Sequence, residues 1–340
     1  VAYILINNYK NRIMSHNVSL LKELQVLYDS ASLDTGDKNR TFRMKSYRDA
    51  MQKIRLLDFD ITKKDQIPLK PSSKIYQKVC EHIEKGEIAQ TQEILRDSES
   101  AIDIYRELQK ISGIGPAKAK KLVEENGVKS LADFDTHPKL KDLLNDKQKI
   151  GLRHWKTDQL RIPREEIKRH EKLYRVIAKN IDPNMKLEIM GSYRREAVDS
   201  GDIDILVTHP TDKSVFRRFV DKLIQIDYLF DHLAYGDHKY MGYGIIQNVD
   251  IPRRIDIIWS PPEEYPFALL YFTGSGNFNV KMREYASRQN FRLNEKCMID
   301  LATNKPVDFV FETENDIFSF LDLEYVEPKN RRENYVFTKI

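Results

Sequence analysis

The sequence predicts an α+β chain, with an all-helical first half and a second half in which short strands alternate with helices. Three observations carry this reading. In the first half apolar residues recur at helical spacing, as in "VSLLKELQVLYDSAS", where Leu20, Leu21, Leu24, Leu27 and Tyr28 share one face. In the second half "KLEIMGS", "DIDILVTH", "RRIDIIWS" and "FALLYFTG" are short runs rich in Ile, Leu, Val and aromatic residues. Turn residues bound each run, so all four read as strands. The character changes near "RIPREEI", residues 161–167, where Pro163 is placed to start a helix.

Each helix has its own signals. "NRTFRMKSYRDAMQKIRLL" repeats the amphipathic pattern and sets Arg43, Lys45 and Arg48 on a basic face. "SSKIYQKVCEHIEKG" begins at a serine cap and ends at Gly86, and "SAIDIYRELQK" again begins at serine. Between and after the strands, "SVFRRFVDKLIQI" and "NVKMREYASRQN" return to helical spacing.

Composition narrows the class. A chain of 340 residues, 41% hydrophobic and 32% charged, suits two or three domains with real cores and a large wet surface. No run approaches the ~18 apolar residues of a membrane helix, and "VAYILINN" at the start is too short for a secretory signal. The first residue is Val rather than Met, which reads as a fragment lacking an upstream part. Cys80 and Cys297 lie far apart without metal-ligand spacing and are expected as reduced thiols of an intracellular protein. The net charge is only +4, but residues 36–85 hold thirteen Lys and Arg against seven Asp and Glu. Positive charge gathered there suits contact with a polyanion.

"ISGIGPAKAKKLVEENG" carries the first motif. A helix is expected to end at Lys110, a tight turn to use Gly113 and Gly115, and Pro116 to open the next helix. Such a turn lets backbone amides and a helix N-terminus approach a phosphate, with Lys118, Lys120 and Lys121 adding charge. A helix-hairpin-helix of this kind holds nucleic acid by its backbone. Upstream, "IPLKPSSKIYQKV" occupies the place of a sister hairpin but contains no glycine.

"GSYRREAVDSGDIDILV", residues 191–207, carries the second. Asp202 and Asp204, two apart on an expected strand, leave the same face about 7 Å apart. Asp256 is centred in another strand. Three carboxylates from one sheet form an oxygen-rich site suited to Mg²⁺, and two such ions can clamp an in-line phosphoryl displacement. Gly191 and Ser192 make a turn for triphosphate oxygens, Arg195 neutralises them, and Gly201 lets the backbone pass close. On this reading Arg194, Arg195 and the aspartates tolerate one another because a metal-bound triphosphate lies between them.

Taken together, "ISGIGPAKAKK", "GSYRREAVDSGDIDILVTHP", "RRIDII" and "ALLYFTGSGNFNVKMR" resemble the family X DNA polymerases, the group of DNA polymerases beta and lambda. The resemblance runs from about Leu20 to Glu333. It implies a nucleotidyltransferase palm on a mixed sheet and five segments. These are an N-terminal extension (1–18), a helical lyase-like domain (19–98), helix-hairpin-helix fingers (99–160), a palm (161–270) and an α/β thumb (271–340). It further implies that Asp202 and Asp204 bind two Mg²⁺ ions (Mn²⁺ as substitute), that Asp256 binds the catalytic one, and that Asp256 sits where the primer 3′-hydroxyl loses its proton. Ser192, Arg195, Gly201 and Arg161 would contact the triphosphate, Tyr271, Phe272 and Gly274 the sugar, and Asn279 the incoming base. Arg283 would face the template strand, and Lys239 and Arg254 the primer. Carbonyls of Gln109, Ile111 and Ile114 would hold Na⁺ or K⁺ against DNA. In the lyase-like segment, Lys78 takes the place of the Schiff-base nucleophile and Lys74 that of a phosphate ligand, with Arg43 and Tyr47 in the same pocket.

The function implied is template-directed, gap-filling DNA synthesis in base-excision or end-joining repair, with 5′-deoxyribose phosphate lyase activity. The partners are then gapped or nicked DNA and dNTPs, with repair proteins reached through an upstream region. The chain would be a nuclear monomer away from membranes. Alternatives are a nucleotidyltransferase that tails RNA or modifies a small acceptor, a non-catalytic DNA-end-binding module, and a template-independent transferase. The short connection "IIQNVDIP" disfavours the last of these, and no 3′→5′ exonuclease motif stands in the sequence.

Overall fold

The computed structural model describes residues 15–34, 36–57, 59–332 and 335–339, so most of the expected N-terminal extension lies outside the described residues. The chain divides into two compact units between Leu152 and Arg153.

The first unit is helical. Its long elements are α1 (Ser15–Leu33), α2 (Arg40–Arg55), α3 (Lys74–Lys85), α4 (Ala89–Gln109) and α5 (Pro116–Glu124), followed by α6 (Asp133–Thr136) and α7 (Asp146–His154). Leu20, Leu24 and Leu27 of α1 pack with Tyr47, Met51 and Ile54 of α2 and Val79 and Cys80 of α3. Glu23 ties this core together by accepting from Ile88 N (3.0 Å), Thr91 Oγ1 (3.2 Å) and His82 Nδ1 (2.6 Å). The first two of these groups lie at the start of α4, where the carboxylate serves one backbone amide that the helix leaves unpaired, Ile88 N, and the Thr91 hydroxyl. The serine start expected in "SAIDIYRELQK" is not a helix start, because α4 runs from Ala89 to Gln109 and crosses 98–99 without a break. Serine costs a helix interior only a few tenths of a kcal/mol, ~0.5 at most, and a cap-type residue alone does not begin a helix.

The second unit is built on a five-stranded sheet of β2 (Lys186–Ile189), β4 (Ile203–Thr208), β7 (Arg253–Trp259), β6 (Lys239–Gly244) and β5 (Leu229–Tyr235), in that order. β4 and β7 run parallel and the other pairs antiparallel. β1 (Ile162–Pro163) pairs separately with β3 (Asp199–Ser200). Ile203, Ile205 and Val207 alternate into a core shared with α8 (Arg164–Ile181) and α10 (Ser214–Gln225). The opposite face of β4 carries Asp204 and then Leu206, which packs on Met190 and Ala268.

"FALLYFTG", expected as a strand, is a helix: α11 (Tyr265–Thr273), with Pro266 in its first turn. A short run that is apolar all round has no period to read, and here both sides are buried. Ala268 meets the sheet face, while Phe267 and Leu270 join a second core. That core is completed by α12 (Gly276–Arg288), a small sheet of β8 (Phe291–Leu293), β9 (Met298–Asp300) and β10 (Lys305–Pro306), and α13 (Glu314–Phe320). No described helix is long and apolar enough to cross a membrane.

Glu314 joins the two cores of this unit. It accepts from Arg194 (3.1 and 2.6 Å) and from Arg331 (2.6 Å), and it is 3% exposed while Arg331 is 1% exposed. Glu314→Ala leaves two largely buried guanidinium groups without their carboxylate, a loss of about 3–5 kcal/mol. The melting temperature of the variant is expected to fall by on the order of 10 °C. An unchanged melting curve would show that the two arginines find other partners.

Candidate active site

The parallel register of β4 and β7 sets Asp204 directly beside Asp256. Asp202 stands one residue ahead of β4, exposed at its entry, rather than on the strand as expected. The chain is still leaving the Gly201 bend there, so the ladder starts only at Ile203. The three carboxylates nonetheless act on one another. Burial first, and then the charges of Asp202 and Asp256, push the Asp204 carboxyl up to about 7. Burial and the Asp256 charge also raise Asp202, although its rim is open to water. Asp256 is buried and has two cations against it, Arg254 Nε at 3.4 Å and Lys239 Nζ at 3.6 Å.

The glycine turn borders this cluster. Gly191 has φ +60°, and a Cβ there would meet Asp204 Oδ2 at 3.2 Å. It opens a single helical turn, α9 (Gly191–Arg194), immediately after Met190, whose amide donates to the Asp204 carbonyl at 2.8 Å. Ser192 Oγ donates to Ser200 Oγ at 2.7 Å. The two arginines part company. Arg195 Nη1 donates to the Thr273 carbonyl at 2.5 Å and lies 3.4 Å from where a Gly274 Cβ would stand. Arg194 turns to Thr273 Oγ1 and Glu314, so its charge is answered by a carboxylate 120 residues away and not by the site. Arg161 donates to Asp199 Oδ1 through Nε (3.0 Å) and Nη2 (2.8 Å), and its Nη1 lies 3.2 Å from where a Gly201 Cβ would stand.

Tyr271, Phe272, Asn279 and Arg283 also meet. The Tyr271 and Phe272 rings are perpendicular with centroids 5.2 Å apart, Asn279 Nδ2 donates to the Tyr271 carbonyl (2.6 Å), and Arg283 lies 6.0 Å over the Tyr271 ring. Gly274 takes φ +63°, a left-handed conformation that lets the chain pass from α11 into α12.

Among the described residues, no three His, Cys, Asp or Glu side chains stand close enough to form a metal cage. The donor set still fits a hard divalent cation. It consists of oxygen alone, and Asp204 is raised first by burial and then by the charges of Asp202 and Asp256, costs that a bound cation would offset.

Three stretches of the chain match known protein families. The DNA polymerase beta palm family matches residues 161–262, the DNA polymerase beta thumb residues 268–332, and the fingers domain of DNA polymerase lambda residues 106–157. The chain belongs to the family X DNA polymerases. DNA polymerase lambda of Rattus norvegicus is 29% identical over 336 residues, covering 93% of this chain and 56% of the relative. DNA polymerase lambda of Arabidopsis thaliana is 28% identical over 322 residues, covering 87% and 58%. DNA-directed DNA/RNA polymerase mu of Homo sapiens is 23% identical over 356 residues, covering 93% and 69%. The chain therefore spans a little over half the length of the lambda relatives it matches.

In this family X chain the other expected residues lie in the first unit. Gly113 takes φ +86°, Gly115 caps α5 and Pro116 is its first residue. Ile114 N donates to the Ile111 carbonyl (3.0 Å), and the Gln109 side chain donates to the Tyr105 carbonyl (3.1 Å). Lys118 Nζ donates to the Leu143 carbonyl, so this ammonium is partly engaged inside the unit. Two residues not anticipated hold the hairpin. Gln148 Nε2 donates to the Gly113 carbonyl (2.9 Å), and a Cβ at Gly151 would lie 2.3 Å from the Ser112 carbonyl oxygen. The glycine of "QKIGL" is their sequence signal.

Lys78 Nζ donates to Gln90 Oε1 at 2.5 Å. Burial first, then the charges of Arg43 and Lys74, hold its pKa below the usual lysine value against the opposing charge of Glu81. Tyr47 is buried in the helical core of this unit, Arg43 is paired with Asp37 (2.7 Å), and Lys74 is exposed at the start of α3. The glycine-free segment before α3 still turns, with Ser73 N donating to the Lys70 carbonyl (2.9 Å) and no left-handed residue in 67–73.

The raised Asp204 gives a pH test. Its ordinary value is 3.8, so between pH 3.8 and about 7 the unfolded chain ionises while the folded chain keeps the proton. Stability falls as pH rises through that window, and above it the cost is fully present. Metal-free Asp204→Asn protein is therefore expected to melt several degrees above the parent at pH 8, with the gap closing toward pH 4. Equal melting temperatures at pH 8 would show that the charge is already neutralised.

Proposed function

We propose that this chain is a template-directed DNA polymerase that adds dNTPs to a primer 3′-hydroxyl and fills short gaps during base-excision or end-joining repair. The observation that supports it best is Asp204 beside Asp256, with Asp202 in their field and the Gly191 turn at their edge. Asp202 and Asp204 would hold both divalent ions, Mg²⁺ or its substitute Mn²⁺, and Asp256 the catalytic one. When bound, these ions neutralise phosphate charge and orient the attacking and leaving oxygens.

The chain's own residues do the rest. Asp256 accepts the primer hydroxyl proton, while Lys239 and Arg254, already against it, face the primer phosphates. Ser192, Arg195 and Arg161 hold the triphosphate, and Gly201 keeps the backbone out of its way. Tyr271, Phe272 and Gly274 wall the sugar, Asn279 reads the base edge, and Arg283 lies toward the template. In the first unit Gly113, Gly115 and Lys118 hold the DNA backbone, with Na⁺ or K⁺ on the carbonyls of Gln109, Ile111 and Ile114. Lys78 supplies a 5′-deoxyribose phosphate lyase, supported by its lowered pKa beside Lys74, Arg43 and Tyr47. The place of work is the nucleus and the working form a monomer.

One assay tests the whole reading: extension on gapped, open-template and single-stranded primers, each with deoxy- and ribonucleotides. Gapped DNA with dNTPs is expected to react fastest and single-stranded primer not at all. Template-free addition at a comparable rate would overturn the template-directed assignment.

A further inference from the structure

A fourth acidic residue, Asp158, acts on the edge of the carboxylate cluster through its charge. It lies on the single turn Thr157–Gln159, which packs against β7. Its Oδ2 accepts from the Tyr243 hydroxyl at 2.8 Å. Tyr243 is held firmly. It is wholly buried, and its ring stacks on His154 with centroids 3.9 Å apart, while His154 Nε2 bonds Asp231 Oδ2 at 2.7 Å. In the β6–β7 ladder Tyr243 is the direct partner of Arg254, whose Nε reaches Asp256 Oδ1 at 3.4 Å. That distance is long for a charge-assisted bond. The field of Asp158 also acts on Arg254 and on Asp202.

We propose that Asp158 is a positioning residue: by sharing the Arg254 guanidinium it loosens that cation's hold on Asp256 and so leaves Asp256 available to a divalent ion. The inference rests on the polymerase reading above. Its physics is a competition. An ion on Asp256 must displace Arg254, and a half-buried guanidinium resists being drawn away from a carboxylate. The charge of Asp158 acts on the same guanidinium and needs no rearrangement to do so, because Tyr243 already fixes the Asp158 carboxylate. Removing the Asp158 charge would tighten the Arg254–Asp256 pair and make the region around Asp202 less negative. Both changes weaken cation binding.

The bland alternative is that Asp158 serves only to satisfy the buried Tyr243 hydroxyl. Asp158→Asn separates the two, since the amide oxygen still accepts from Tyr243 while the charge is gone. Mn²⁺ binding to the protein without DNA or nucleotide, read by electron paramagnetic resonance of the free ion, should weaken on the order of tenfold. That is the lower end of the loss seen when an outer partner of a metal ligand is removed. The Mg²⁺ concentration for half-maximal primer extension should rise in parallel, with the rate at saturating Mg²⁺ and the melting temperature nearly unchanged. Tyr243→Phe, which keeps the charge, should weaken Mn²⁺ binding much less, and it carries the test should the first variant fold poorly. In an Arg254→Ala background, Asp158→Asn should change Mn²⁺ affinity little.

Parental Mn²⁺ affinity in Asp158→Asn overturns the proposal. So does an undiminished tenfold loss in the Arg254→Ala background, because Asp158 would then act without the guanidinium. A parent that binds Mn²⁺ but extends no primer would instead sink the polymerase reading, which keeps the two failures apart.

Discussion

Asp256→Ala is expected to lower single-turnover primer extension by at least about a thousandfold while leaving gapped-DNA affinity within a few-fold of the parent. Two losses combine in this variant. On the proposed reading the proton acceptor for the primer hydroxyl disappears, and general-base contributions alone are typically about 10²–10⁴-fold. One of the three carboxylates proposed to hold the divalent ions goes with it, and with it the charge that draws Lys239 and Arg254 to this point of the sheet. DNA binding follows a different logic. Backbone contacts depend on positive charge, and removing Asp256 adds net positive charge beside the expected primer path. The fold should persist, since Asp158 still lies in the field of Arg254 and the neighbours Ile255 and Ile257 are untouched in the core. Rapid-quench extension paired with fluorescence anisotropy on the same gapped duplex separates the two quantities. Parental extension by Asp256→Ala would remove Asp256 from the chemistry.

What could be read in advance follows a physical pattern. Asp204 and Asp256 were legible because carboxylates interrupt runs that otherwise read as buried strands, and such an interruption must be answered by something local. Gly191, Gly113 and Gly115 were legible for a related reason: the two left-handed positions, 191 and 113, admit almost no other residue cheaply, and 115 begins a helix with proline next. The helix at 265–273 was not legible, because a run buried on both sides carries no period. Nor was the fate of Arg194. It stands beside Arg195 in the same turn, and nothing nearby announces that its carboxylate is Glu314 in α13. Asp158 escaped for the same reason, since its partner Tyr243 is 85 residues away and no spacing rule links a turn to the middle of a strand. Side-chain partnerships across the chain, rather than the elements themselves, were the missing part.

Lys78→Ala is expected to abolish borohydride trapping on an incised abasic-site substrate, with trapping by the parent rising with pH and levelling off below the usual lysine range. A Schiff base needs a free amine, and an ordinary lysine is almost wholly protonated near neutral pH. Burial of Lys78 disfavours its charged form, and Arg43 and Lys74 add repulsion in the same direction, so a larger share of free amine is present. Gln90 matters here as well. Its Oε1 accepts from the Lys78 ammonium at 2.5 Å, orienting the nitrogen without a full negative charge that would drive the pKa back up. Gln90→Glu should therefore shift the pH profile of trapping upward, and Gln90→Ala should leave its midpoint nearly in place. Lys74 is exposed at the start of the same helix, so Lys74→Ala should weaken substrate binding more than the trapping step itself. Undiminished trapping in Lys78→Ala would move the nucleophile to another lysine, while loss of trapping with a pH profile unmoved by Gln90→Glu would leave Lys78 essential but its amine set by something other than these neighbours.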